Sequence, residues 1–206
     1  MSQNRDWTGN KKTTYVTLGA SNHTDKERQA DDYYATDPIA IDKLIAKHHI
    51  SSKVIFEPSC GEGHLSKRLE EKGWTVVSSD LVDRGYGTGG VDFLKDVNKL
   101  PEDCKVILTN PPYKFALEFI KHSLELLPED GECIMLLKTT FLEGKKRYKE
   151  LFSKCPPKYI YQFSERLLCA KNGNFEDMKA NGGSAVSYCW FVFTPNNKAL
   201  PMIDWI

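Results

Sequence analysis

The chain predicts an α/β fold: a doubly wound, mostly parallel seven-stranded sheet with an antiparallel last strand and helices on both faces. Three observations predict it. The apolar run Val54-Ile55-Phe56 leads straight into Glu57-Pro58-Ser59-Cys60-Gly61-Glu62-Gly63, a strand followed by a glycine turn and the first turn of a helix. Val106-Ile107-Leu108 and Cys133 to Leu137 are continuous apolar runs without alternation, as strands buried on both faces require. Tyr159 to Phe163 and Ser187 to Phe193 are rich in aromatic and β-branched residues, with no long helix between them, so they can pair antiparallel.

The elements follow in order. Residues 1–30 are polar with few apolar anchors and read as a mobile arm, or a lid that orders on binding, ahead of one domain over 31–206. Asp37-Pro38 starts a helix whose Ile41, Leu44 and Ile45 recur at helical spacing, with Pro38 in its first turn. Strand, helix and strand then occupy 54–58, 63–72 and 74–80. Leu81 to Gly90 holds four glycines and reads as a loop. Val106 to Thr109 is a strand, and Phe115 to Leu127 a helix carrying Leu117, Ile120, Leu124 and Leu127 on one face. Leu168 to Val186 is polar, with Lys171, Asn172, Asn174, Lys179 and Asn181, and is a candidate substrate-recognition loop.

The chemistry centres on Asn110-Pro111-Pro112-Tyr113, directly after the strand ending at Thr109. An amino group conjugated to a π-system is a poor nucleophile until its lone pair is localised. The Asn110 side-chain oxygen and the Pro111 carbonyl can accept its two N–H bonds as the nitrogen becomes tetrahedral. The prolines lock φ and lack an N–H, so the turn presents carbonyls in a fixed direction. Tyr113 offers a flat face for a base, and Phe141 a second one. An ordinary Pro-Pro turn closing a strand would read the same way, so the rest of the chain must decide.

Gly61 and Gly63 permit a tight turn and close approach to a ligand, yet the third glycine of a dinucleotide fingerprint is missing, as is any Gly-Lys-Ser/Thr phosphate loop. Glu57 beside the turn is unfavourable for phosphates and suits a cationic ligand. Asp80, at the end of the next strand and followed by Leu81, is placed to bind ribose hydroxyls. Asp92-Phe93 can accept from an adenine amino group and cover its face, although half-buried packing is the commoner role of such a pair.

Together these residues resemble class I S-adenosylmethionine-dependent methyltransferases, a Rossmann-like family, and within it the amino-methylating group that includes DNA N6-adenine methyltransferases of phage and prophage type. Glu57-Pro58-Ser59-Cys60-Gly61-Glu62-Gly63 resembles the first cofactor motif, Asp80 the second acidic position, Asp92-Phe93 the cofactor-adenine contact and Asn110-Pro111-Pro112-Tyr113 the catalytic motif. Tyr34-Ala35-Thr36-Asp37-Pro38 resembles the segment that closes over the methionine end, which Asn110 also borders. The resemblance implies S-adenosyl-L-methionine as cofactor, held by Tyr34, Thr36, Pro38, Glu57, Pro58, Cys60, Gly61, Gly63, Asp80, Leu81, Asp92 and Phe93. It further implies direct in-line transfer to an exocyclic amino nitrogen, preferentially N6 of adenine in a flipped DNA base. Ribosomal RNA amino-methyltransferases and protein glutamine methyltransferases share the motif, and a non-catalytic cofactor-binding subunit stays open as well. The departure is size: about ninety residues follow Tyr113, too few for a large target-recognition domain besides the core.

Formal charge is zero, which argues against coating nucleic acid through bulk charge. From Lys138 to Lys171, however, nine Lys or Arg stand against three Glu, and Lys145, Lys146, Arg147 and Lys171 are candidate phosphate contacts, unless the stretch is only a solvated face. The six cysteines have no zinc spacing and read as reduced, mostly buried thiols; His48-His49 read as residues on different helix faces, so no metal is expected. No apolar run approaches the ~20 residues of a membrane span, and no signal-peptide core is visible. A cytoplasmic monomer or homodimer is the expectation.

Overall fold

The computed structural model describes residues 34–171, 175 and 186–206. The polar arm and the loop residues Asn172, Asn174, Lys179 and Asn181 lie outside them, as do the side chains of Tyr34 and Lys171. In chain order the strands are β1 (Tyr34–Thr36), β2 (Val54–Glu57), β3 (Thr75–Ser78), β4 (Cys104–Thr109), β5 (Glu132–Lys138), β6 (Tyr159–Gln162), β7 (Cys169–Lys171), β8 (Tyr188–Phe193) and β9 (Met202–Trp205). The helices are α1 (Ile39–Ile45), α2 (His64–Glu71), α3 (Phe93–Asp96), α4 (Ala116–Leu126) and the single turn α5 (Lys145–Arg147).

Seven strands form the main sheet in the order β3-β2-β4-β5-β8-β6-β9. β8 alone runs against its neighbours β5 and β6, and the other pairs are parallel. The antiparallel pairing of 159–162 with 188–193 is therefore as expected. The sheet does not end there: β9, for which the sequence offered no strand pattern, adds itself parallel to β6 at the edge. Its four residues are all exposed, Met202, Ile203 and Trp205 by more than half, so burial left no periodic trace to read. A second correction concerns the loop from Leu168. Its first residues form β7, which pairs antiparallel with β1 in a separate two-stranded sheet, Thr36 opposite Cys169 and Tyr34 opposite Lys171. Three-residue strands carry too little pattern to announce themselves.

Alternate residues of each central strand feed two cores. Ile55, Val106, Leu108, Ile134, Leu136, Trp190 and Val192 pack on the face covered by α1 and α2, through Ile41, Leu44, Leu65 and Leu69. Phe56, Ile107, Cys133, Met135, Leu137, Phe191 and Phe193 pack on the other, under Leu117, Phe119 and Ile120 of α4. Each fully buried large side chain of this kind contributes about 1.5–3 kcal/mol. Asp37 starts α1 by accepting from the Ile39 N–H at 3.0 Å, with Pro38 preceding the helix.

The two histidines lie beyond α1 rather than on it. His48 is buried, its Nε2 3.2 Å from Glu132 and its Nδ1 3.1 Å from the Tyr161 hydroxyl, while His49 is exposed. The six thiols are unpaired and five are buried. Among the described residues no helix is long and apolar enough to cross a membrane, and no cluster of His, Cys, Asp and Glu could hold a metal.

Candidate active site

β2 and β4 are parallel neighbours, so the turns that follow them emerge at the same carboxyl edge of the sheet. After β2 the chain passes through Gly61 at φ +55° and Gly63 at φ +80°, conformations costly for residues with a Cβ. Gly63 then starts α2, its N–H donating to the Cys60 carbonyl at 2.8 Å. Asp80 braces this turn. Its carboxylate accepts from the Gly61 N–H at 2.8 Å and from the Val82 N–H at 3.0 Å, tying the glycine turn to the loop after β3. Leu81 beside it is 61% exposed, an apolar side chain projecting at the mouth of the turn. Pro58, Cys60 and Gly61 are buried, and burial pushes the Cys60 thiol up to about 12.

Sequence reasoning missed Tyr86. Its ring lies so close over Gly63 that a Cβ there would come within 2.6 Å of three ring atoms. Lys67 Nζ sits 5.0 Å above the same ring. The glycine at position 63 is thus required twice, by its φ and by the aromatic ring that pins the 81–90 loop to α2. A tyrosine among four glycines was the available signal.

Glu57 departs from its expected role. Rather than facing a ligand as a free carboxylate, it is 1% exposed and accepts from the Ser66 hydroxyl on α2, which also contacts the Ser78 hydroxyl on β3 at 2.7 Å. Burial pushes its carboxyl up to about 8, with the Asp80 charge adding to the rise and the Ser66 bond opposing it. The group is then protonated when folded and ionised when unfolded across the interval from 4.5 to about 8. The unfolded chain binds fewer protons there, so stability falls as pH rises, by about 1.4 kcal/mol per unit at most from this group. Urea midpoints of the protein and of Glu57→Gln between pH 5 and 8 check this: the difference between them should change steadily in favour of the variant, and a pH-independent difference would sink it.

The Asn-Pro-Pro-Tyr turn caps β4. Asn110 Nδ2 donates to Thr36 Oγ1 at 2.9 Å, which orients the amide, and Thr36 itself is 3% exposed on β1. The other end of the amide is unusual: Asn110 Oδ1 is buried and has no hydrogen-bond partner among the described residues. A buried, unpaired acceptor costs about 1–3 kcal/mol, so it signals an absent donor. The Tyr113 hydroxyl, turned inward towards Asn110 and Tyr188, is likewise buried with no hydrogen-bond partner among the described residues, and burial holds the phenol well above its usual range. The Tyr113 ring lies 6.1 Å from that of Tyr188 and carries Lys138 Nζ at 5.1 Å. Pro111 is buried and Pro112 exposed.

The remaining candidates divide. Asp92 caps α3 by accepting from the Leu94 N–H at 3.1 Å and pairs with Lys95, whose ammonium holds its carboxyl below the usual range. Phe93 is 2% exposed and packed against Phe56, Phe119 and His122, so the ring that the sequence offered for an adenine face belongs to the core. Phe141 is buried against Phe152 and Phe191. Lys145 and Lys146 are exposed on α5, with Lys146 paired to Glu118 on α4, while Arg147 folds back over Phe141.

No protein-family model matches the chain, and no curated protein matches it. Solved structures do. A protein of Listeria monocytogenes described as a candidate class I S-adenosylmethionine-dependent methyltransferase aligns over 94% of this chain and 71% of its own, with TM-score 0.54 and 14% identity. The M protein of the type I restriction enzyme EcoKI aligns over 82% of this chain at TM-score 0.54 and 16% identity, this chain spanning 45% of its length. The fold is that of class I methyltransferases. The class I fold hosts other names too: a Lactococcus lactis protein described as a candidate hemolysin matches at TM-score 0.57, 11% identity, 81% of this chain and 91% of its own. Activity therefore has to be argued from the residues at the carboxyl edge of this class I sheet.

Proposed function

We propose that the protein is an S-adenosylmethionine-dependent methyltransferase acting on an exocyclic amino nitrogen, with N6 of adenine in DNA as the preferred target. One observation carries the reading: Asn110 Oδ1, buried and without a donor among the described residues, stands at the tip of the strand beside the glycine turn. The likeness to a restriction-enzyme M protein leans the substrate towards DNA.

The glycine turn fits the cofactor in part. Gly61, Asp80 and Leu81 are the residues that would hold it, together with Asp92, whereas Glu57 and Phe93 are enclosed elsewhere. Bound there, S-adenosylmethionine supplies an electrophilic methyl. The chain's own residues prepare the nucleophile. Asn110 Oδ1 takes a hydrogen bond from the target amino group and draws its lone pair out of conjugation, and the Pro111 carbonyl serves the second N–H. Both acceptors are fixed before substrate arrives, one by Thr36 and the other by the proline ring, so little reorganisation is needed in the transition state. The methylated nitrogen is positively charged, and its proton leaves to solvent without a strong base.

The test is transfer of labelled methyl to duplex DNA, structured RNA and a protein extract in parallel, with nucleoside analysis. N6-methyladenine in DNA is the expected product; label in the RNA or protein pool would replace the substrate, and none in any pool would overturn the reading. Thr36→Val should lower kcat about tenfold with little change in cofactor affinity, since one neutral hydrogen bond is worth about 0.5–1.5 kcal/mol. Thr36→Ser should keep most of the rate. Equal losses in both variants would show that the hydroxyl does not orient Asn110.

A further inference from the structure

Tyr113 and Phe141, the two rings that the sequence offered as a sandwich for a base, line one cavity of about 110 Å3 together with Lys138, Thr140 and Arg147. Both rings already carry a cation: Lys138 Nζ lies 5.1 Å from the Tyr113 centroid and the Arg147 guanidinium 5.0 Å from that of Phe141. Neither cation is ion-paired among the described residues, although Lys121 and Lys146 nearby are. Arg147 donates to the Thr140 carbonyl at 3.3 Å, but its Nε is buried without a partner. Gly144 makes the arrangement fit. At φ +120° it has no Cβ, and one placed there would come 3.0 Å from the guanidinium.

Charge decides what this solvent-open pocket takes. Two unpaired cations and an orphaned guanidinium N–H call for a compact anion with several acceptor oxygens, which arginine can bind bidentately. We infer that the cavity between Tyr113, Lys138, Phe141 and Arg147 is a phosphate site that grips the backbone of a polynucleotide beside the Asn-Pro-Pro-Tyr turn. It deepens the proposed function by fixing the substrate class as nucleic acid, and it rests on that reading only for the role of the turn. Duplex DNA and RNA share the phosphodiester chemistry, so the experiment carries an arm for each.

Affinity of a labelled DNA duplex and of an RNA hairpin is measured by fluorescence anisotropy over a range of salt, for the protein, for Lys138→Gln/Arg147→Gln and for Lys149→Gln, which removes one charge outside the cavity. Each phosphate neutralised contributes about one to the slope of log affinity against log salt. Because both cations serve one phosphate, the double variant should lower that slope by about one and weaken binding at 0.1 M salt at least tenfold. Gly144→Ala, which displaces Arg147 without removing charge, should move both in the same direction. Whichever of DNA and RNA shows the loss is the polynucleotide gripped. A double variant no weaker per charge than Lys149→Gln overturns the proposal, as does a protein without measurable affinity for either polymer. Methyl transfer to DNA with an unchanged slope would sink the phosphate site alone. A lowered slope with no transfer to any pool would sink the methyltransferase reading and leave the phosphate site standing.

Discussion

Asn110→Ala should reduce methyl transfer by about a hundred- to a thousandfold, the loss typical of one preorganised partner of transition-state charge, while leaving S-adenosylmethionine affinity within about twofold. The geometry explains the split. The side chain touches Thr36 through its nitrogen and holds its oxygen ready but unpaired, so removing it takes away an interaction made only with the target amino group. Deleting the unpaired oxygen removes a desolvation penalty, whereas losing the Nδ2 bond takes a donor from the buried Thr36 hydroxyl; the two offset, so the variant should stay within about 1–2 kcal/mol of the parent. Calorimetric titration with the cofactor beside single-turnover transfer separates the outcomes. Parallel loss of cofactor affinity and rate would mean that Asn110 serves the cofactor, and the assignment of its role would fall.

Trp190→Ala is expected to be the most destabilising single change in the molecule. Trp190 is wholly buried in the middle of β8, and its Nε1 donates to the Ala40 carbonyl of α1 at 3.0 Å, joining sheet to helix. The cavity alone costs about 3–5 kcal/mol, and the lost hydrogen bond adds about 0.5–1.5 kcal/mol. Against a total of about 5–15 kcal/mol, the variant should unfold at a much lower urea concentration or fail to fold. Trp190→Phe keeps most of the volume and loses only the hydrogen bond, so it should fall between. A loss under about 1 kcal/mol for the alanine variant would show that the helix is anchored elsewhere.

The parts of this molecule that were legible in the sequence are those written in long, repeated chemistry. β5 and β8 are buried on both faces and read as unbroken apolar runs, and α4 carries a helical stripe of buried residues. The glycine turn and the Asn-Pro-Pro turn were visible because both demand special backbone. What failed to show were short elements and orientations. β1 and β7 are three residues each, and β9 is exposed along its whole length. The inward turn of Glu57 could not be seen because Ser66, which donates to it, lies nine residues further along the chain, and Ser78, which contacts Ser66, twelve beyond that. Phe93 followed an acid in a plausible motif, but three rings, one from β2 and two from α4, claim it.

The placement of β8 also sets an order of assembly. β6 has only β8 and β9 as neighbours in the main sheet, and both come after it in the chain. It therefore cannot join β5 until residues 188–193 exist and have threaded between them. Two strands, β6 and β9, wait on that one insertion, whereas β2 to β5 can pair as they are made. Such long-range closure is slow, and it leaves the apolar flank of β5 uncovered meanwhile. Tyr188, the first residue of the inserted strand, lies against Tyr113. The surroundings of Tyr113 are thus completed by the same late step that closes the sheet, and a half-made chain has the Asn-Pro-Pro-Tyr turn without them.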